Sequence, residues 1–167
     1  MKLSPVSARR FPLLVFASLL LSACASSETP PVETETGGPV ARQVTESDHC
    51  GLTAPGLVYL ESRQELEQFK RLPGQNLSLT NGLDFDREHL VVVGLGRKPT
   101  GGHGVTLASS DLHNGVMRLA MEVFEPGPDR VVTQAITTPC AVVAVSTEDW
   151  DTLKVIGQGL PEMTRRR

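Results

Sequence analysis

Histidines, cysteines and one acidic cluster are the residues of this chain with the widest chemical reach. A zinc hydrolase would carry paired histidines at HExxH-type spacing, and His49, His89, His103 and His113 show no such spacing. Asp84, Asp86 and Glu88 could offer oxygens to calcium, yet aspartate at the start of a turn commonly caps backbone amides, and that role is the expected one. Gly94-Leu95-Gly96 follows an apolar run as a phosphate loop would. A proline and a further extended run come next, so no helix N-terminus is available to receive a phosphate. The stretch Arg97 to Gly102 is the most suggestive loop. Pro99 fixes φ, while Gly101 and Gly102 admit backbone conformations closed to other residues, and the resulting tight connection exposes backbone donors. Exposed loops on a rigid sheet are common binding sites, although turn chemistry alone also accounts for Pro99-Thr100-Gly101-Gly102. No metal site and no cofactor are expected.

The chain opens with Lys2, Arg9 and Arg10, then an apolar run from Phe11 to Leu21, then Leu21-Ser22-Ala23-Cys24. That is the architecture of an export signal, and the run is too short for the roughly 20 apolar residues of a membrane-crossing helix. Leu21-Ser22-Ala23-Cys24 resembles the lipobox of bacterial lipoproteins. The resemblance implies that the Cys24 thiol is lipidated with palmitate-like acyl chains, that residues 1–23 are removed, and that the protein is anchored to a membrane. Ala25, where lipoproteins kept at the inner membrane often show Asp, points to an outer-membrane anchor facing the periplasm or the cell surface. Without the three basic residues of the signal, 13 basic groups stand against 19 acidic ones, a net charge of −6. Nucleic acid is not an expected partner, because the one basic cluster is Arg165-Arg166-Arg167, expected to be a frayed, solvated end. With Cys24 spent on lipid, Cys50 and Cys140 remain, and an oxidising compartment favours a disulfide between them. Pairing would also take away the free thiolate that a Cys-His hydrolase or a zinc site with His49 would need.

These residues must be positioned by a small fold. Residues 24–48, rich in Pro, Thr and Glu, are expected to form a disordered tether that cannot bury enough surface to offset its ordering entropy. Residues 49–158 form the expected domain, and residues 159–167 a basic tail. Leu57 to Leu60 suits a short strand. Ser62-Arg63-Gln64-Glu65 reads as a capping box for a helix of about ten residues that buries Leu66, Phe69 and Leu72 before Pro73-Gly74 stops it. Leu90 to Leu95 is continuous and β-branched, as in a strand covered on both faces, and Ala141 to Val145 is a second such run. Asn114-Gly115 marks a type I′ hairpin, followed by Met117, Leu119, Met121 and Val123 on one face and Arg118 and Glu122 on the other. Val131 to Ile136 is expected to resume extended structure, and Trp150 to be a core-edge anchor. The fold class is α+β and β-dominated: an antiparallel, sandwich-like domain with one short helix near its start.

The run Val91-Val92-Val93-Gly94-Leu95-Gly96-Arg97-Lys98-Pro99-Thr100-Gly101-Gly102-His103-Gly104-Val105 resembles the signature of the PrcB C-terminal domain family. In that family an apolar strand leads through Gly and Lys-Pro-Thr-Gly-Gly to an aromatic residue and a second strand. Leu83-Asp84-Phe85 and Val132-Thr133-Gln134-Ala135-Ile136-Thr137-Thr138-Pro139 extend the likeness to roughly residues 83–147. His103 stands where Tyr is usual, and Cys140 where an aromatic often follows the proline. The resemblance implies a lipoprotein or secreted accessory subunit of a protease complex, without catalytic residues of its own. Its implied protein-binding surface is Lys98, Pro99, Thr100, Gly101, Gly102 and His103 with Thr133, Thr138 and Pro139, and its implied partner is another envelope protein, a protease or its complex. Lys98 to His103 also resembles the Asn-Pro-Thr-Thr-Gly-Tyr loop of chagasin-like cysteine-protease inhibitors, although the Arg-Pro-Trp loop of those inhibitors is missing. Direct inhibition and a structural envelope role are the alternatives.

Overall fold

The computed structural model describes residues 40–79 and 82–167. The expected signal peptide, the expected lipidation at Cys24 and the part of the expected tether up to residue 39 lie outside the described residues. In chain order the elements are β1 (Ala41–Ser47), β2 (Pro55–Leu60), α1 (Arg63–Lys70), β3 (Glu88–Leu95), β4 (Gly104–His113), β5 (Val116–Phe124), β6 (Cys140–Ser146), β7 (Thr152–Gly157) and β8 (Met163–Arg166). They form two four-stranded sheets, ordered β1-β6-β3-β2 and β4-β5-β7-β8.

Three layers explain the two kinds of apolar pattern. The sheet built on β3 and β6 is the middle layer. Val91, Val93, Val143 and Val145 face the second sheet, while Leu90, Val92, Val142 and Ala144 face Leu66 and Phe69 of α1. Burial on both sides is why these two strands read as unbroken apolar runs. The second sheet is an outer layer. Met117, Leu119 and Met121 are buried, Arg118 and Glu122 are exposed, and β5 therefore alternates. The β4–β5 hairpin turns at Asn114 (φ 50°) and Gly115 (φ 73°), the positive-φ pair that a type I′ turn requires.

Helix α1 starts as its sequence indicates. The Ser62 hydroxyl accepts from the Glu65 amide at 3.2 Å, and the Glu65 carboxylate reaches back to the Glu61 amide at 2.7 Å, one residue ahead of the N-cap amide a standard capping box would engage. The helix stops after eight residues, at Lys70, so Leu72 lies beyond it and is 49% exposed rather than part of the buried stripe. Cys50 and Cys140 are joined by a disulfide with their Cα atoms 5.9 Å apart, buried in the same core as Leu66 and Phe69.

Four further expectations are corrected. Strand β1 occupies residues assigned to the tether: it pairs antiparallel with β6 along its length and tucks Ala41 into the core. Its polar sequence conceals it, because its order comes from backbone pairing to a buried neighbour. The C-terminal residues are not frayed, since β8 pairs with β7 from Met163 to Arg166, and the Arg165 and Arg167 guanidinium groups stack on Tyr59 and Trp150 at 4.3 and 4.7 Å. The sheets are not wholly antiparallel, because β5 and β7 run parallel. The chain reaches that arrangement by crossing into the middle sheet as β6 and returning, a long connection of the kind a parallel pair needs. Finally, Val131 to Ile136 forms no strand: Val131 is fully exposed and Ile136 is 61% exposed, so neither face of the segment is buried.

Candidate functional site

The loop from Arg97 to His103 leaves β3 at Gly96, where φ is 74° and a Cβ would lie 2.7 Å from Pro55 and 2.9 Å from Ala54, so conformation and crowding both call for glycine. It does not stand alone. Lys98 and Thr137 exchange two backbone hydrogen bonds, at 2.9 and 3.0 Å, and the Gly101 amide donates to the Thr133 carbonyl at 2.9 Å. The Thr137 side chain is buried and donates to the Thr100 carbonyl at 2.9 Å. Two segments separated by more than thirty residues thus become one ledge. Gly102 completes it with φ 82°, where a Cβ would lie 3.0 Å from Val132 Cγ1 and 3.2 Å from Pro126 Cβ. Both the backbone conformation and the crowding demand glycine.

The residues expected to bind fall into two groups. Thr138 and Pro139 face inward. The Thr138 hydroxyl accepts the amides of Cys50 and Gly51 at 3.1 and 3.0 Å, and buried Pro139 gives its carbonyl to the Leu95 amide at 2.9 Å. With the adjacent disulfide they fix the ledge to β3 and β6. Pro99, Gly102 and Thr133 face solvent, Lys98, Thr100 and His103 are half-buried, and Gly101 is buried. Arg97, Val131 and Ile136 add to the exposed surface, the last two as large apolar groups.

Beside the ledge, a cleft of about 590 Å³ lies over the disulfide between the end of β1 and the start of β4. Glu46 and Asp48 line it on one side, His103 and Phe124 on the other, with Cys140 among its walls. His103 Nδ1 is buried and has no hydrogen-bond partner among the described residues. Glu46, Asp48 and Phe124 carry no local sequence signal of belonging with His103. They meet it only because β1 joins the middle sheet and β4 the outer one.

The other chemically reactive residues are spoken for. The Asp84 carboxylate accepts the Asp86 amide at 3.1 Å, and Glu88 pairs with Arg42 at 2.7 Å, so the acidic cluster serves a turn and an ion pair. Among the described residues no group of three or more His, Cys, Asp or Glu side chains is placed to hold a metal ion, and no helix is long and apolar enough to cross a membrane. At the opposite end of the sandwich, Tyr59 bonds to His89 Nδ1 at 2.8 Å and packs edge-on against Trp150, whose indole donates to the Ser146 carbonyl at 2.6 Å. Burial raises the Tyr59 pKa above its ordinary value and lowers that of His89.

What this arrangement offers is shape: a glycine-molded ledge held by backbone bonds, exposed apolar side chains next to it, and a cleft with two carboxylates and an imidazole at its rim. Such features suit contact with another polypeptide. Residues 89–146 match the family model described as PrcB C-terminal, a match that runs from β3 through the ledge to the end of β6. No curated protein and no solved structure matches the chain.

Proposed function

We propose, from the PrcB C-terminal match across β3 to β6, that this chain is a lipid-anchored, non-catalytic accessory subunit that binds an envelope protease or its complex through the ledge. The observation that carries this reading is the fastening of Lys98 to Thr137, which presents Pro99, Gly102, Thr133 and Ile136 outward together inside the matched segment. The signal-like N-terminus and the lipobox-like Leu21-Ser22-Ala23-Cys24 support an extracytoplasmic setting for the ledge, and a buried disulfide is consistent with an oxidising compartment.

Crosslinking in intact cells followed by affinity capture tests the reading. Wild type should recover a protease, and a Pro99→Glu/Ile136→Glu double variant, which alters only exposed positions, should lose it while keeping its melting temperature. Recovery of no protease by the wild type refutes the reading. The purified chain is also assayed against cysteine and serine proteases: potent inhibition that vanishes in the double variant would make it a direct inhibitor rather than an accessory subunit. For the anchor, labelled palmitate should enter the wild type and not Cys24→Ser, and labelling of the variant would overturn the lipid assignment.

A further inference from the structure

The two seams of the sandwich are closed differently. At one seam β1 lies against β4. Both strands carry a register shift there, between Gln43 and Thr45 and between Leu107 and Ser109, and the Gln43 side chain accepts the Leu107 amide at 2.7 Å. Bulges and side-chain caps of this kind keep an edge from pairing with another chain. At the other seam β2 faces β8, and β2 has no such protection. Its sequence, Pro-Gly-Leu-Val-Tyr-Leu, holds no charged residue, its pairing with β3 is unbroken, and among the described residues it pairs with β3 alone.

The direction of its backbone groups follows from β3. The Leu95 amide donates to Pro139, so Leu95 and, by alternation, Val93 and Val91 turn their backbone groups toward β6, while Gly94, Val92 and Leu90 turn theirs toward β2. The partners of those last three are Gly56, Val58 and Leu60. Leu57 and Tyr59 therefore direct their amides and carbonyls outward into the open seam, and Pro55, which has no amide to lose, sits at an outward position too.

That seam is lined as a strand-binding groove would be. Two adjoining clefts of about 420 and 440 Å³ share Tyr59 and Arg165 and run beside β2, with Leu57 and Met163 in one and Phe69 and Leu72 in the other. Leu72 is the half-exposed residue that the helix does not cover. Between the clefts stands the Arg165 guanidinium, stacked on Tyr59, 2.6 Å from Glu61, with its Nε buried and without a hydrogen-bond partner. An exposed pair such as Glu61–Arg165 holds its partner weakly, so an incoming carboxylate can take its place.

We propose that the outer edge of β2 is a β-augmentation site that accepts an extended strand of a partner polypeptide, with an acidic side chain of that strand received by Arg165. The strand's backbone would bond to Leu57 and Tyr59, and its alternate side chains would enter the two clefts. This surface lies outside the matched segment and does not depend on the ledge reading.

Residue-resolved amide exchange on the full chain, purified in detergent micelles, tests it. The probe is a blocked heptapeptide, Thr-Val-Thr-Asp-Thr-Val-Thr, with its Asn counterpart as control. In the free protein the Leu57 and Tyr59 amides should exchange fast and those of Gly56, Val58 and Leu60 slowly. Saturation with the Asp peptide should slow Leu57 and Tyr59 selectively, and Arg165→Gln or the Asn peptide should weaken binding about two- to fivefold. Unchanged exchange at Leu57 and Tyr59 overturns the proposal. Slow exchange there without peptide, varying with protein concentration, also overturns it, since a second copy would then occupy the edge. Equal binding of the Asp and Asn peptides refutes the role of Arg165.

Discussion

Single residues set the shape of the ledge. Gly102→Ala places a side chain at φ 82° and within 3.0 Å of Val132, so it should cost about 1–3 kcal/mol in urea unfolding. Thr138→Val removes the acceptor for the Cys50 and Gly51 amides. Because Cys50 also donates to the Thr138 carbonyl, the loss falls mainly on Gly51, and about 1–3 kcal/mol is expected by the same measurement. His89 makes stability depend on pH. Its folded-state pKa lies below the ordinary value, so the unfolded chain takes up a proton first as pH falls. Stability should be complete above about pH 6.5, the ordinary histidine value, and decline as pH drops from there toward the lower folded pKa. His89→Gln, which cannot titrate, should show a flatter melting temperature between pH 7 and 5. The residues of the ledge were legible one by one, since Pro99, Gly101 and Gly102 declare a turn. The inward roles of Thr138 and Pro139 were not, because a hydroxyl or a carbonyl gives no local sign of which distant amide it will meet.

Elements were legible where the chain itself carries the pattern. The unbroken runs of β3 and β6, the alternation of β5 and the Asn114-Gly115 turn each follow from local sequence, and the structure has them where the pattern puts them. Strands β1, β7 and β8 are short or polar and owe their order to neighbours. Leu153 and Val155 of β7 do alternate, but over too few residues to stand out from the loops around them. Of the elements assigned wrongly, Val131 to Ile136 shows the reverse error: β-branched residues without a face to bury remain irregular. The covalent tie between the β1–β2 connection and the start of β6 belongs to this scale as well. Cys50→Ser with Cys140→Ser should lower stability by about 2–5 kcal/mol, measured by chemical denaturation, with β6 and the ledge losing amide protection first.

At the scale of the whole molecule, the three-layer arrangement decides which strands read as apolar throughout and which alternate, but the sequence does not say which layer a strand will join. The parallel pairing of β5 with β7 and the return of the chain's end onto Tyr59 and Trp150 are decisions of topology. Removing residues 163–167 should therefore do more than trim a tail. It deletes the edge strand of the outer sheet and two cation–π contacts, so a loss of more than about 1 kcal/mol is expected, visible as a lower melting temperature and a changed Trp150 emission.

The antiparallel seating of β1 on β6 also has a mechanical side. Traction applied through the segment ahead of Val40 would load the ladder from Ala41 to Ser47 first, opening it bond by bond from its Val145 end. Unravelling would then halt at Cys50, where the sulfur bridge passes the tension straight to Cys140, so β2 and everything after it would stay packed while the slack is used up. Strand β1 would then act as a short extensible segment between the applied pull and the sulfur bridge.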